Sequence, residues 1–267
     1  MTDRYAVFGN PIAHSMSPQI HAYFAFLCGD DLEYGTVLVP AGEFAKQCDS
    51  FFSHGGRGCN VTVPCKLDAC AYADELTPYA QSAGAVNTLK LQNDGKILGD
   101  NTDGRGFIAD LKRLKLYPEG KRILLIGAGG AAKGIMRPLL EEKPAAVTVV
   151  NRNMDKAVEL AKAYGKEVKV CRYDELKAEY DLVINATSSS LNGALPPLED
   201  EVLRAASAAY DLMYKKDGVT TFTQHAIELG VTDCHDGFGM LIMQAALSYE
   251  LWRGVRPDAG KAIAHFR

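Results

Sequence analysis

The chain has 267 residues, 47% of them hydrophobic, which is long enough to bury one large core or two modest ones. Its 29 basic and 33 acidic residues leave a net charge of −4 with no basic block, so a surface built for nucleic acid or an anionic membrane is excluded and a small-molecule ligand is the default. The seven cysteines (Cys28, Cys48, Cys59, Cys65, Cys70, Cys171, Cys234) are scattered and form no C-x-x-C, and the opening M-T-D-R-Y-A-V-F-G-N lacks a signal-peptide core, so free thiols in a soluble, cytoplasmic protein are expected.

Strand-like segments at residues 5–9, 34–39 and 60–63 alternate with helix-like segments at 18–28 and 42–53, which predicts an α/β sheet. Residues 85–91 and 96–98 flank Asn93-Asp94-Gly95, a hairpin signal because Asp-Gly accepts the positive φ values of tight turns. Asp100-Asn101-Thr102-Asp103-Gly104 then caps a predicted helix to about Leu114, read as the bridge between two domains. From Arg122 the chain reads R-I-L-L-I-G-A-G-G-A-A-K-G, an apolar strand entering a glycine turn and a helix. The β-branched run 145–152 completes a βαβ unit. Pro138, two turns into that helix, is expected to bend or shorten it.

Further strands are predicted at 168–171, 181–185 and 208–212, with a helix at 221–230. A last periodic segment, 240–252, is expected to cross back to the first domain. The fold class is therefore α/β. An N-terminal α/β substrate domain with a mostly parallel sheet spans 1–102, completed by 240–267, and a Rossmann-like dinucleotide-binding domain spans 103–239.

The glycine turn has separable jobs. Gly127 permits the tight turn, Gly129 lets backbone N–H groups approach a pyrophosphate, Ala132 takes the helix-packing position, and the helix from Gly130 presents unpaired N–H groups. Strand-to-helix turns also use glycine for conformation alone. At the end of the next strand, where an NAD enzyme carries Asp or Glu, stand Asn151 and Arg152. A guanidinium pairs bidentately with a 2′-phosphate and Lys156 adds a charge, which favours NADP; solvated helix-start residues are the competing reading.

Ser17-Pro18 reads as an N-cap followed by a first-turn proline, whereas Ser15 has no such role; two hydroxyls ahead of a helix form an anion site, with capping as the alternative. Asn60-Val61-Thr62-Val63-Pro64-Cys65-Lys66 ends a strand with a lysine where open α/β sheets bind ligands. Lys66 can serve there as a general acid or base, although most lysines are simply solvated. Thr62 also suits a strand by its β-branch, and Asn87-Thr88 and Asn101 to Gly104 are by themselves turn chemistry. The six histidines show no metal spacing, and no metal is expected.

Taken together, G-N-P-I-A-H-S-M-S-P, N-V-T-V-P-C-K, G-A-V-N-T, G-D-N-T-D-G, G-A-G-G-A, N-A-T-S, Y-D-L-M-Y and D-G-F-G-M-L-I-M-Q-A-A resemble the shikimate dehydrogenase family along essentially the whole chain. The resemblance implies two α/β domains around a cleft and reversible, NADPH-dependent reduction of 3-dehydroshikimate to shikimate in aromatic amino-acid biosynthesis. Carried over motif by motif, it makes Lys66 and Asp103 the catalytic pair. Ser15, Ser17 and Tyr214 take the substrate carboxylate, and Thr62, Asn87 and Gln244 the ring hydroxyls. It assigns Gly127, Ala128, Gly129, Gly130 and Ala131 to the cofactor phosphates, Asn151, Arg152, Asn153 and Lys156 to the 2′-phosphate, and Leu212 and Gly237 to the nicotinamide.

The family often has Lys where Met16 stands, Phe for Cys65, Arg for Lys156 and Met for Leu212. Of these only Lys156 bears on cofactor choice, being a point charge where arginine is a fork. A monomer or homodimer is expected, and domain closure is expected because the catalytic pair and the nicotinamide would come from different lobes. Two other readings stay open: a quinate/shikimate dehydrogenase using NAD or both cofactors, and a non-catalytic metabolite sensor of the same fold.

Overall fold

Apolar strands alternating with helices build two six-stranded sheets, one in each of the two units into which the chain divides. The computed structural model of the chain describes residues 2–267. One unit runs to Gly106 and resumes over Ile242–Phe266; the other comprises Phe107–Leu241 and Arg267.

In the first unit the strands are β1 (Asp3–Gly9), β2 (Leu32–Leu38), β3 (Gly56–Val61), β4 (Glu75–Leu76), β5 (Thr88–Leu91) and β6 (Ile97–Asp100), in the order β2-β1-β3-β5-β6-β4. β1 is parallel to β2 and β3, and β4 to β6, while β5 runs antiparallel to β3 and β6. The β5–β6 hairpin turns at Gly95, whose φ of +88° needs glycine. Helices α1 (Ser17–Cys28), α2 (Phe44–Ser53), α3 (Lys66–Tyr72) and α4 (Pro78–Ala83) connect the strands. Tyr5 to Gly9 are all buried, as a strand covered on both faces requires, and Phe8 packs with Phe44, Cys48 and Val61 in the core.

Two short helices were not legible as helices in the sequence. α4 nevertheless has its signal in Thr77-Pro78, since the Thr77 hydroxyl accepts the Ala80 N–H at 3.3 Å. α3 begins at Lys66 itself, so this lysine opens a helix rather than ending a loop.

The second unit holds β7 (Arg122–Ile126), β8 (Ala146–Val150), β9 (Val168–Val170), β10 (Leu182–Asn185), β11 (Ala208–Asp211) and β12 (Asp233–Asp236), all parallel, in the order β12-β11-β10-β7-β8-β9. This is the doubly wound dinucleotide-binding order, with its switch point between β7 and β10. Along β7, Ile123 and Leu125 enter one core cluster and Leu124 and Ile126 the other, so each face of the sheet is covered. The polar D-C-H-D of β12 hid a strand because it lies at the sheet edge.

Helices α6 (Gly130–Glu141), α7 (Met154–Lys162), α8 (Asp200–Arg204) and α9 (Thr221–Glu228) belong to this unit. α6 runs through Pro138 to Glu141, so the expected shortening is absent; the proline ring is buried with Ile135, Met136 and Leu139, and that packing offsets the missing N–H. α5 (Asp103–Arg113) starts in the first unit and continues into the second. α10 (Phe238–Arg253) starts in the second and returns to the first, where α11 (Ala259–Phe266) follows. Among the described residues no helix is long and apolar enough to cross a membrane.

One core residue has a measurable consequence for stability. His21 on α1 is fully buried, stacked 4.3 Å from the Tyr34 ring, and neither of its ring nitrogens makes a hydrogen bond. Burial lowers its pKa from 6.5 to about 3, with the nearby Asn60 side chain opposing weakly. The unfolded chain therefore takes up a proton that the folded state refuses, and stability falls as pH drops from about 6.5 toward about 3. Between about pH 7 and about pH 5 this costs about 2 kcal/mol, so His21→Phe should lose about that much less than the parent over this interval in urea unfolding. Identical pH slopes would refute the assignment.

Candidate functional site

Sheet topology brings four polar loops to one end of the first unit. The C-terminal ends of parallel β1 and β3 lead to the Ser15 and Lys66 segments, tied together by Asn10 N–H to the Val63 carbonyl (3.2 Å) and Thr62 N–H to the Phe8 carbonyl (2.9 Å). Because β5 is antiparallel to β3, its N-terminal residue Thr88 pairs with Asn60 at this same end, with Asn87 just before it. β6 ends opposite Thr88 at Asp100, and Asp103 follows as the first residue of α5.

Lys66 and Asp103 form an ion pair there, Nζ to Oδ2 at 2.5 Å, with the lysine side chain 29% and the aspartate 17% exposed. The other oxygen of Asp103, Oδ1, accepts the Asn87 side-chain amide at 2.8 Å, and its backbone N–H donates to Asn101 Oδ1 at 3.1 Å. Asn87 is itself buried and fixed in orientation. Its Oδ1 accepts the Thr102 backbone N–H and the Thr88 hydroxyl, both at 2.9 Å, which leaves Nδ2 facing Thr102 Oγ1 (2.9 Å), Asp103 and Gln244 Oε1 (3.2 Å). Two amide hydrogens serve three acceptors, and Gln244 is the most distant of them.

Behind Asn87 the network continues through side chains. Asn60 Nδ2 donates to Ser248 (3.0 Å) and Thr88 (3.2 Å), its Oδ1 accepts the Tyr34 hydroxyl (2.7 Å), and Ser248 meets Thr88 (2.7 Å) and Thr102 (3.2 Å). Gln244 and Ser248, four apart, share one face of α10.

The serines differ from expectation. The N-cap of α1 is Met16 with no side-chain cap, Ser17 is the first helical residue, and it is Ser15 whose Oγ accepts the Ser17 N–H at 3.3 Å. Ser15 therefore closes a local turn just ahead of α1, and the Ser17 side chain interacts with the Tyr34 phenol. Thr62 sits just past β3, four residues before Lys66.

In the second unit a cavity of about 620 Å³ opens at the C-terminal edge of β7, β8 and β10. Gly127 to Ala131 line it, and so do Asn151, Arg152, Asn153 and Lys156, so nine of the eleven expected cofactor residues converge on one space. Gly127 has φ +110°, and a Cβ there would come 3.1 Å from the Ala186 carbonyl oxygen, so the turn needs glycine twice over. A Cβ at Gly129 or Gly130 would meet nothing within 4 Å, so the floor is open. The α6 ladder starts with Lys133 N–H to Gly129 carbonyl (3.0 Å), which leaves the preceding N–H groups for an anion. The third motif position, Ala132, is fully buried in the core. Among the described residues no carboxylate pairs with Arg152 or Lys156, and Asn153 caps α7 through the Lys156 N–H (3.3 Å). The residues present therefore fit a dinucleotide carrying a 2′-phosphate.

Leu212 and Gly237 lie together outside this lining. A side chain at Gly237 would overlap the Leu212 carbonyl, so these strand ends touch only because residue 237 is glycine. Tyr214, half-buried and edge-on to Phe238 at 6.1 Å, has its phenol pushed up by burial, then by the Asp236 charge.

Several parts of the cavity wall escaped the sequence reading, Asn192 and residues 194–197 among them. Thr187, Ser188 and Ser189 line it from the N-A-T-S segment, held by Thr187 Oγ1 to Asn185 Oδ1 at 2.7 Å. Asn185 is in turn bound to the fully buried Asp211, whose pKa burial raises against hydrogen bonds from Ser190 and Thr220. The run of small hydroxylated residues at a strand end was the available signal. Met213, within the Y-D-L-M-Y motif, and Tyr173 also line the cavity, and nothing in the sequence marked Tyr173.

An open nucleotide cradle on a doubly wound sheet, with a separate α/β unit that carries a buttressed lysine–aspartate pair, defines a two-domain dinucleotide-dependent oxidoreductase. Residues 7–89 match the family described as shikimate dehydrogenase substrate binding domain, 111–195 shikimate / quinate 5-dehydrogenase, and 237–264 shikimate 5′-dehydrogenase C-terminal domain. A shikimate dehydrogenase (NADP(+)) of Vibrio cholerae is 50% identical, covering 99% of this chain and 96% of the relative. Among solved structures, an Ael1 enzyme from Pseudomonas putida superposes with a TM-score of 0.95 at 41% identity over 99% of this chain and 98% of the other. The Thermus thermophilus shikimate 5-dehydrogenase in complex with NADP(H) and shikimate superposes with 0.88 at 32% over the whole of both chains. The chain belongs to the shikimate dehydrogenase family.

Gly106 on α5 packs against α10 so closely that a Cβ would lie 2.6 Å from both the Gln244 Cβ and its backbone nitrogen. Gly106→Ala should therefore push α10 away, lowering unfolding stability by about 1–3 kcal/mol as overpacking does and weakening shikimate binding, since Gln244 moves with its helix. Denaturant unfolding and calorimetric titration check both; an alanine variant as stable as the parent would contradict this contact.

Proposed function

We propose that this chain catalyses the reversible, NADPH-dependent reduction of 3-dehydroshikimate to shikimate in aromatic amino-acid biosynthesis. The observation that carries this reading is the Lys66–Asp103 pair, 2.5 Å apart and held by a buried asparagine. Bound NADPH supplies the hydride that reaches the ring carbonyl carbon. Lys66 Nζ donates the proton that the developing oxyanion needs, and its charge stabilises that oxygen beforehand. In the oxidative direction the same amine takes the hydroxyl proton. Asp103 Oδ2 orients the ammonium, and Asn87 fixes Asp103 through Oδ1.

Asn87 is so fully engaged that its first task is this positioning; Thr62, Gln244 and what remains of the Asn87 donors hold the ring hydroxyls. Such sites discriminate strongly, because a ring lacking the matching hydroxyl leaves a buried polar group unpaired. Ser15 and Ser17 bind the substrate carboxylate, and Tyr214 enters the assignment through the Y-D-L-M-Y motif.

The Gly127 to Ala131 turn cradles the pyrophosphate, and Arg152, Lys156, Asn151 and Asn153 take the 2′-phosphate. Leu212 and Gly237 flank the nicotinamide on motif grounds. All seven cysteines are free, which suits a reducing cytoplasm, where the protein acts as a monomer or homodimer.

Lys66→Ala should lower turnover by roughly 100- to 10,000-fold while NADP⁺ binding, measured by titration calorimetry, stays close to the parent value. Parent-rate reduction of dehydroshikimate by this variant would refute the catalytic assignment. Arg152→Ser should weaken NADP⁺ by roughly 10- to 100-fold and NAD⁺ little, as loss of a charge-assisted pair to the 2′-phosphate predicts. Equal losses for both cofactors would refute it.

A further inference from the structure

A second cavity of about 510 Å³ adjoins the first, and Asn151, Arg152 and Tyr173 line both. Tyr173 follows β9 on a single 3-10 turn, Tyr173–Glu175, that brackets itself: the Glu175 carboxylate accepts the Arg172 N–H at 2.8 Å, and Arg172 Nε reaches Asp174 at 3.1 Å. The ring is anchored from behind by the apolar cluster that contains Val150 and Tyr180. Its phenol is raised by burial and opposed by the charge of Arg152, which places the guanidinium within electrostatic reach. A fixed aromatic face thus borders the space at the point where the 2′-phosphate charge partner stands.

We propose that Tyr173 is a cofactor-binding residue whose ring is the platform for the adenine base of NADP. The inference rests on the reading of this cavity as the cofactor site. Adenine is joined to the same ribose that carries the 2′-phosphate, so a phosphate held by Arg152 and Lys156 confines the base to the neighbourhood of these residues. A planar base there gains most from an apolar ring with no competing ligand of its own, and Tyr173 is the aromatic residue shared by the two linings. Because stacking does not depend on the hydroxyl, phenylalanine serves as well and an aliphatic side chain does not.

The test is calorimetric titration of the full chain with adenosine 2′,5′-bisphosphate, a probe without the nicotinamide half, against Tyr173→Leu and Tyr173→Phe; leucine keeps the apolar backing, so the variant folds. Tyr173→Leu should bind the probe about tenfold more weakly, Tyr173→Phe within about twofold of the parent, and shikimate binding should be unchanged in both. Parent-like binding by Tyr173→Leu, or an equal loss in Tyr173→Phe, overturns the platform. Arg152→Ser, run alongside, separates the two readings. If it weakens the probe while Tyr173→Leu does not, only the Tyr173 inference falls; if neither does, the cofactor reading of the cavity falls with it.

Discussion

The side-chain amide of Asn87 is the constraint on which the first unit's chemistry depends. Its oxygen is saturated by a backbone N–H and a hydroxyl, so its nitrogen is turned to the side where Asp103, Thr102 and Gln244 accept. Were the amide reversed, buried donors of Thr102 and Thr88 would lose their acceptor, at about 1–3 kcal/mol for each group left unpaired. A fully satisfied network in a low-dielectric interior is rigid for that reason. Asp103 inherits the rigidity and passes it to Lys66, so the ammonium is held by a chain of buried bonds running back to Asn60 and Ser248.

That network draws on five separate pieces of chain, and the topology explains how they meet. A purely parallel sheet would place only strand C-termini at this end. The antiparallel β5 instead delivers its N-terminus here, next to the end of β6, so Asn87 and Asp103, sixteen residues apart, become neighbours. α10 completes the set from the far end of the sequence, and Gly106 is the device that lets it approach closely enough. The second unit solves a different problem with backbone rather than side chains, leaving an empty floor at Gly129 and Gly130 and unpaired N–H groups where a diphosphate needs them.

Local chemistry explains what could be read from the sequence. The β7 turn was legible because glycine at φ +110°, an apolar strand and a helix start are all short-range signals, and so were Arg152 and Lys156 at the next strand end. Lys66 stood out by its place at a strand end, but its pairing with Asp103 could be nominated only through their motifs, since a hydrogen bond across 37 residues leaves no local trace. Ser248 and Asn60, 188 residues apart, were invisible for the same reason. The capping expected of Ser17 is absent, because the chain enters α1 one residue earlier, with Met16 at the N-cap and Ser15 accepting the Ser17 N–H. Tyr173 went unnoticed because its 3-10 turn has no periodicity to reveal which face it shows.

The measurement that bears most directly on this account is turnover of shikimate and of quinate with NADP⁺ and with NAD⁺, followed by the appearance of reduced-nicotinamide absorbance. The geometry predicts that shikimate turns over far faster with NADP⁺ than with NAD⁺, because Arg152 stands where an NAD enzyme would carry an acid. Good quinate turnover with NAD⁺ preferred would contradict it.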